Sequence, residues 1–191
     1  MNSAEDKAPR EFQSPGEYKK KGLILVHTGD GKGKTTAAIG TAFRAIGRGF
    51  HVAMVQFIKG TWKTGELEAV KHVSNQFQIY PMGEGFTWDT KDYAKDVQTA
   101  RRTWAKCVEV LHDQDHRLVI FDEINYCFQY NFLDVKEVIQ ELQKKPQDKH
   151  VILTGRGAPS ELIEIADLVT EMKCIKHPYQ QGLKAQPGIE Y

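Results

Sequence analysis

Residues 23–38, Leu-Ile-Leu-Val-His-Thr-Gly-Asp-Gly-Lys-Gly-Lys-Thr-Thr-Ala-Ala, constrain the fold more than any other stretch of this chain. A short apolar run leads into a loop with three glycines, and Lys-Thr-Thr then opens an alanine-rich segment. That order reads as strand, phosphate-binding loop and helix. Glycine recurs because backbone N–H groups can turn inward on a polyphosphate only where no Cβ crowds the turn. Lys34 would reach the phosphates as a point charge, and the Thr35 hydroxyl would ligate a magnesium ion. A helix beginning near Gly33 adds the positive end of its dipole. Counted back from Gly33-Lys34-Thr35, the first glycine of the common G-x4-G-K-[ST] pattern falls on Thr28, which allows the loop a path of its own. A glycine-rich turn that binds nothing is the alternative. The apolar run before, the Lys-Thr pair and the helical pattern after argue against it together.

Beyond this loop, short apolar runs alternate with helical patterns, the mark of a mostly parallel sheet with helices on both faces. Six strands are expected at 23–27, 51–57, 76–80, 117–122, 149–154 and 167–172. Ile39, Ala42, Phe43 and Ile46 recur at helical spacing, and Gly47 or Gly49 ends that helix. Val97, Ala100, Trp104, Val108 and Leu111 make a longer stripe. Asp134 and Glu137 can form a capping arrangement, with Pro146 beyond the helix stop. Residues 1–20 are polar, contain Pro9 and Pro15, and read as a flexible arm ahead of a single α/β domain over 21–191. A net charge of +1 over 191 residues gives no bias toward nucleic acid or membranes. No apolar run reaches membrane-spanning length, and the start lacks the apolar stretch of a signal peptide. Cys107, Cys127 and Cys174 are an odd, widely spaced set, suited to reduced thiols in a cytoplasm.

The run Leu118-Val119-Ile120-Phe121-Asp122-Glu123 is the second strong signal. A buried strand ending in two acids is expected beside the phosphate-loop strand, placing at least one carboxylate near the magnesium ion. The residues do not say which of the two ligates directly. Arg156 stands between Gly155 and Gly157 after a strand, a guanidinium on a flexible turn suited to polyphosphate. Arg44, further along the first helix, is another phosphate candidate. Phe86 and Trp88 flank a single residue in a glycine-containing loop. They either cap the core or wall a large flat ligand. His112 and His116 lie four apart with no third ligand evident and are read as solvated. The closing segment, Gly182 to Tyr191, suggests specific packing without a role.

Taken in order, these stretches, with Val55-Gln56-Phe57-Ile58-Lys59-Gly60, Ala166-Asp167-Leu168-Val169-Thr170-Glu171-Met172 and Lys184-Ala185-Gln186-Pro187-Gly188-Ile189-Glu190, resemble one family. It is the phosphate-loop type of ATP:corrinoid adenosyltransferase, and the likeness runs from about Gly22 to Tyr191. The resemblance implies a RecA-like phosphate-loop fold and a reaction in which Co(I) attacks the ribose 5′-carbon of ATP, so that intact triphosphate leaves. It implies ATP held in reversed polarity by Thr28, Gly29, Asp30, Gly31, Lys32, Gly33, Lys34, Thr35 and Thr36. It also implies a magnesium or manganese ion on Thr35 and Glu123, aided by Asp122, and Phe86 and Trp88 against the lower face of the corrinoid. A homodimer and a flavodoxin-like protein or reduced flavin as electron donor complete the picture. Co(I) is already a potent nucleophile, so no general base is needed. The chemistry asks for neutralisation of the departing triphosphate, which Lys34, Arg44 and Arg156 could supply. Two other functions remain open: a phosphate-loop ATPase with Glu123 polarising a water, and a nucleotide-dependent regulatory module.

Overall fold

The computed structural model describes residues 20–58, 64–73, 75–83 and 92–190. Phe86, Trp88 and residues 1–19 of the expected arm lie outside these. Six strands form one sheet: β1 (Ile24–Thr28), β2 (His51–Gln56), β3 (Phe77–Pro81), β4 (His116–Asp122), β5 (His150–Thr154) and β6 (Leu168–Glu171). Every pairing is parallel, and the spatial order is β3-β2-β4-β5-β1-β6. The strands begin and end close to their expected limits. Their order departs from expectation in one respect: β5 intervenes between the loop strand β1 and the acid strand β4.

The two faces of the sheet are distinguished by the period of two along each strand. In β4, Val119 and Phe121 join one core with Val55, Val151 and Leu153, whereas Leu118 and Ile120 join another with Met54 and Ile152. The first core is covered by α3 (Tyr93–His112), α4 (Ile124–Gln129), α5 (Val135–Lys144) and α6 (Ser160–Ile165). Within α3, Ala100, Trp104, Cys107 and Leu111 recur three or four residues apart and are buried, and the Trp104 ring meets Phe121 edge-on at 5.9 Å. The other face is covered by α1 (Lys34–Ile46), which follows the phosphate loop. A short helix, α2 (Gly65–Ala69), runs on into a 3₁₀ turn at Val70–Val73.

Local readings needed correction in three places. Helix α1 buries Ala38 and Ala42, while Phe43 is 46% exposed and touches Phe77 only edge-on. Small residues face the sheet because the helix lies close to it. Asp134 caps α5 by accepting the Lys136 N–H, but Glu137 does not close a capping box and instead pairs with Arg101 at 3.0 Å. His116 is buried rather than solvated, its Nδ1 lying 2.6 Å from Asp113.

Candidate functional site

The C-terminal ends of the strands carry the loops that make the site, as open parallel sheets require. The phosphate loop leaves β1 at Thr28 and enters α1 at Lys34, with Gly33 as N-cap at φ 109°. Its course is set by β6. Met172 donates its N–H to the Thr28 carbonyl at 2.8 Å and accepts the Gly31 N–H at 2.7 Å. Gly29 has φ 94°, and a Cβ there would lie 2.4 Å from the Met172 carbonyl oxygen. Glycine is therefore required at 29 by the neighbouring chain as well as by the backbone angle. The Gly31 amide is committed to the Met172 carbonyl, while Thr28 turns its hydroxyl to the Ala158 N–H.

Lys34 is 7% exposed and folds back over its own loop, donating to the carbonyls of Gly29 and Gly31, both at 2.7 Å. Burial lowers its pKa from the ordinary 10.5; the field of Glu123 opposes this and that of Arg156 adds to it. A charged lysine held in this way gains from the approach of an anion.

The acids at the end of β4 are organised through the intervening strand. Asp122 is completely buried and accepts hydrogen bonds from Thr35 and Thr154, both at 2.8 Å, and from Gln56 at 3.2 Å. The same Thr154 hydroxyl accepts the Glu123 N–H at 2.9 Å, so one side chain of β5 ties both acids together. Glu123 adopts φ 63°, outside the usual range for a side-chain-bearing residue, which turns its side chain into the cleft at the start of α4. Hydroxyl and carboxylate oxygens are the hard donors magnesium takes, together with substrate phosphates, so Thr35, Asp122 and Glu123 suit that ion. Among the described residues no cluster of three or more His, Cys, Asp or Glu offers a metal a full set of protein ligands.

A cleft of about 690 Å³ opens over the loop, lined by Asp30 to Thr36, Glu66 of α2, Glu123, Tyr126, Arg156 and the C-terminal residues Gly188 to Glu190. A second cleft of the same size lies beyond Asp30, Tyr126 and Arg156, which line both, and is walled by Tyr130, Gly157 and Ile163. Arg156 thus stands where it was expected, though its turn is tightly set. Gly155, at φ 129°, would bring a Cβ within 2.9 Å of the Asn125 Cβ, and its carbonyl accepts from Asn125 at 2.8 Å. Arg44 is not brought into the site. It is exposed in the last turn of α1, ten residues beyond Lys34 and so about 15 Å along the axis. Tyr126, Thr154, Glu66 and Glu190 escaped the sequence reading. Tyr126, one turn after Glu123, was the most findable. Burial and the field of Glu123 raise its pKa.

A parallel sheet with one strand between the loop strand and the acid strand, and a lysine and threonine at the head of the first helix, defines a phosphate-loop nucleotide-binding protein of the recombinase-like class. The fold is shared with the flagellar accessory protein FlaH from Methanocaldococcus jannaschii, at a TM-score of 0.51 and 15% identity over 80% of this chain and 71% of that one. Residues 20–191 match the family ATP:corrinoid adenosyltransferase BtuR/CobO/CobP, and the chain belongs to it. Its relatives include a corrinoid adenosyltransferase of Sinorhizobium sp., 49% identical over all of this chain and 90% of that protein. Those of Escherichia coli K12 and Salmonella typhimurium are 44% and 43% identical over 90% of this chain and 86% of each.

Proposed function

We propose that this chain transfers the 5′-deoxyadenosyl group of ATP to the Co(I) centre of a reduced corrinoid, releasing triphosphate. The observation that carries the reading is Lys34, buried in its own loop at the floor of a cleft faced by Arg156. As the C–O bond at the ribose 5′-carbon breaks, negative charge grows on the triphosphate. Lys34, Lys32 and Arg156 would stabilise it. Cobalt supplies the electron pair, so no side chain has to remove a proton. Asp30 to Thr36 would hold the phosphates, and reversed polarity would bring the sugar carbon, rather than the terminal phosphorus, to the acceptor.

Thr35, Asp122 and Glu123 would hold a magnesium or manganese ion, which when bound supplies further positive charge to the triphosphate. Phe86 and Trp88 are assigned to the corrinoid's lower face, where displacing the axial base leaves a four-coordinate Co(II) that is easier to reduce. A flavodoxin-like protein or reduced flavin as electron donor and a homodimeric, cytoplasmic enzyme belong to the same proposal. Cys107 and Cys127 are buried free thiols, as a reducing compartment permits, and none of the described helices is long and apolar enough to cross a membrane. Incubation with Mg-ATP and chemically reduced cobalamin should yield adenosylcobalamin and triphosphate. Formation of ADP or pyrophosphate instead would overturn the assignment, and steady phosphate release without corrinoid would favour an ATPase.

A further inference from the structure

The C-terminal segment brings Glu190 into the cleft over the phosphate loop. After the 3₁₀ turn Pro178–Gln181, residues 182–189 are exposed to solvent along their whole length. Their hydrogen bonds among the described residues stay within the segment: Leu183 N–H to Pro178, Gln186 to Lys184, and Ile189 and Glu190 N–H to Gln186. Glu190 differs. Its side chain is 15% exposed, lines the cleft, and meets the Lys32 ammonium of the phosphate loop at 2.5 Å. The anchoring carboxylate therefore occupies one of the cations assigned above to the triphosphate.

We infer that Glu190 is an internal competitor for the phosphate loop, displaced when triphosphate binds and returning to Lys32 to help expel it. The inference rests on the nucleotide-site reading above and extends it to product release. Three physical points carry it. A triphosphate brings several negative charges into a cleft that already holds Glu66, Glu123 and Glu190, so an unmoved Glu190 would oppose it. An ion pair whose lysine is 51% exposed is weak and can be exchanged. Among the described residues, residues 182–189 are exposed and Glu190 makes the segment's one side-chain contact with the loop, so release requires little rearrangement. The return matters because the transfer leaves triphosphate on the loop, and a tethered carboxylate acts at high effective concentration.

The test is direct binding of inorganic tripolyphosphate to the full chain, by titration calorimetry, with no corrinoid present. Glu190→Gln should tighten binding by about fivefold, the worth of an exposed ion pair, and should lower the inhibition constant of tripolyphosphate in the transfer reaction to match. Amide exchange of residues 182–190 should quicken when tripolyphosphate is added to the wild type, and should already be fast in Glu190→Gln. Unchanged or weaker binding by Glu190→Gln, or slower exchange of the segment on ligand addition, would overturn the inference. Failure of the wild type to bind tripolyphosphate at all would instead overturn the nucleotide-site reading beneath it.

Discussion

Two lysines lie almost wholly buried at opposite ends of the sheet, and they do opposite things. Lys34, at the C-terminal ends of the strands, gives two hydrogen bonds to carbonyls of its own loop. Lys149, just before β5 at the other end, is 3% exposed and gives three, to the carbonyls of Val110 and Asp113 and to the Asp113 carboxylate, at 2.8 to 2.9 Å. An ammonium has three protons to donate. At Lys149 all are used, its charge is matched by Asp113, and the result is a closed staple joining the end of α3 to the sheet. At Lys34, among the described residues, two protons are used, the loop carbonyls bring no full negative charge, and the side chain borders a cleft. Burial of a cation serves stability where its partners are complete; where they are not, as at Lys34, it leaves a charge that the proposed triphosphate would complete.

The sharpest way to break this contrast is to remove each lysine. Lys34→Ala should reduce tripolyphosphate and ATP affinity by roughly a hundredfold, the scale of a lost charge-assisted contact, without lowering the melting temperature. Lys149→Met should do the reverse. Leaving Asp113 half-buried without its cation should cost about 3 kcal/mol, a fall of roughly 6–12 °C in melting temperature for a chain of this size, with ATP affinity within about twofold of wild type. Calorimetric binding and thermal melts on both variants decide it. A Lys149→Met protein that melts normally but no longer binds ATP would end the comparison.

A smaller effect is expected at Thr154, which carries order from the buried interior to the open cleft. Thr154→Val keeps the shape but removes the hydroxyl shared by Asp122 and the Glu123 amide. The turnover rate should drop about tenfold, with one or two kcal/mol of stability lost through the unmatched amide. If turnover were unaffected, the acids would not need β5 to position them.

The smallest effects are in pH dependence, where the two ends should respond at opposite extremes. Burial pushes the Asp113 carboxyl up, but hydrogen bonds from His116 and Lys149 outweigh it and hold the pKa below the ordinary 3.8. Its contribution to stability is therefore complete above 3.8 and lost as pH falls through the lowered value. Lys34 behaves in the other sense. Its pKa is lowered, so its charge burdens the ligand-free fold at neutral pH, and that burden lifts as pH rises toward 10.5. The stability gap between wild type and Asp113→Asn should narrow in acid, and that between wild type and Lys34→Ala should narrow in alkali. Denaturant titrations across pH would expose a reversed sign at either end.

Much of this was legible in the sequence, for a local reason. A strand, a glycine turn and a helix head are contiguous, so residues 23–38 carried their meaning without any tertiary contact. Short apolar runs alternating with helical patterns announced the remaining strands, and the acids at 122 and 123 stood out because a phosphate loop in the same chain gives carboxylates at a strand end an ion to hold. Arg44 lines neither described cleft, because an α-helix carries a residue away from its start at about 1.5 Å per step.

Strand order, the Gly31 amide turned toward Met172, the Thr154 bridge, the Lys149 staple and Glu190 in the cleft were decided by the tertiary structure alone. The Thr154 bridge, the Lys149 staple and the Glu190 contact join residues between 31 and 158 positions apart, through side chains whose types are common everywhere in the chain. The sequence by itself determined that a polyphosphate could be gripped, because that grip is built from neighbouring backbone groups. Only the folded sheet determined what surrounds the grip, because distant loops converge at strand ends according to a pairing order that no local pattern encodes.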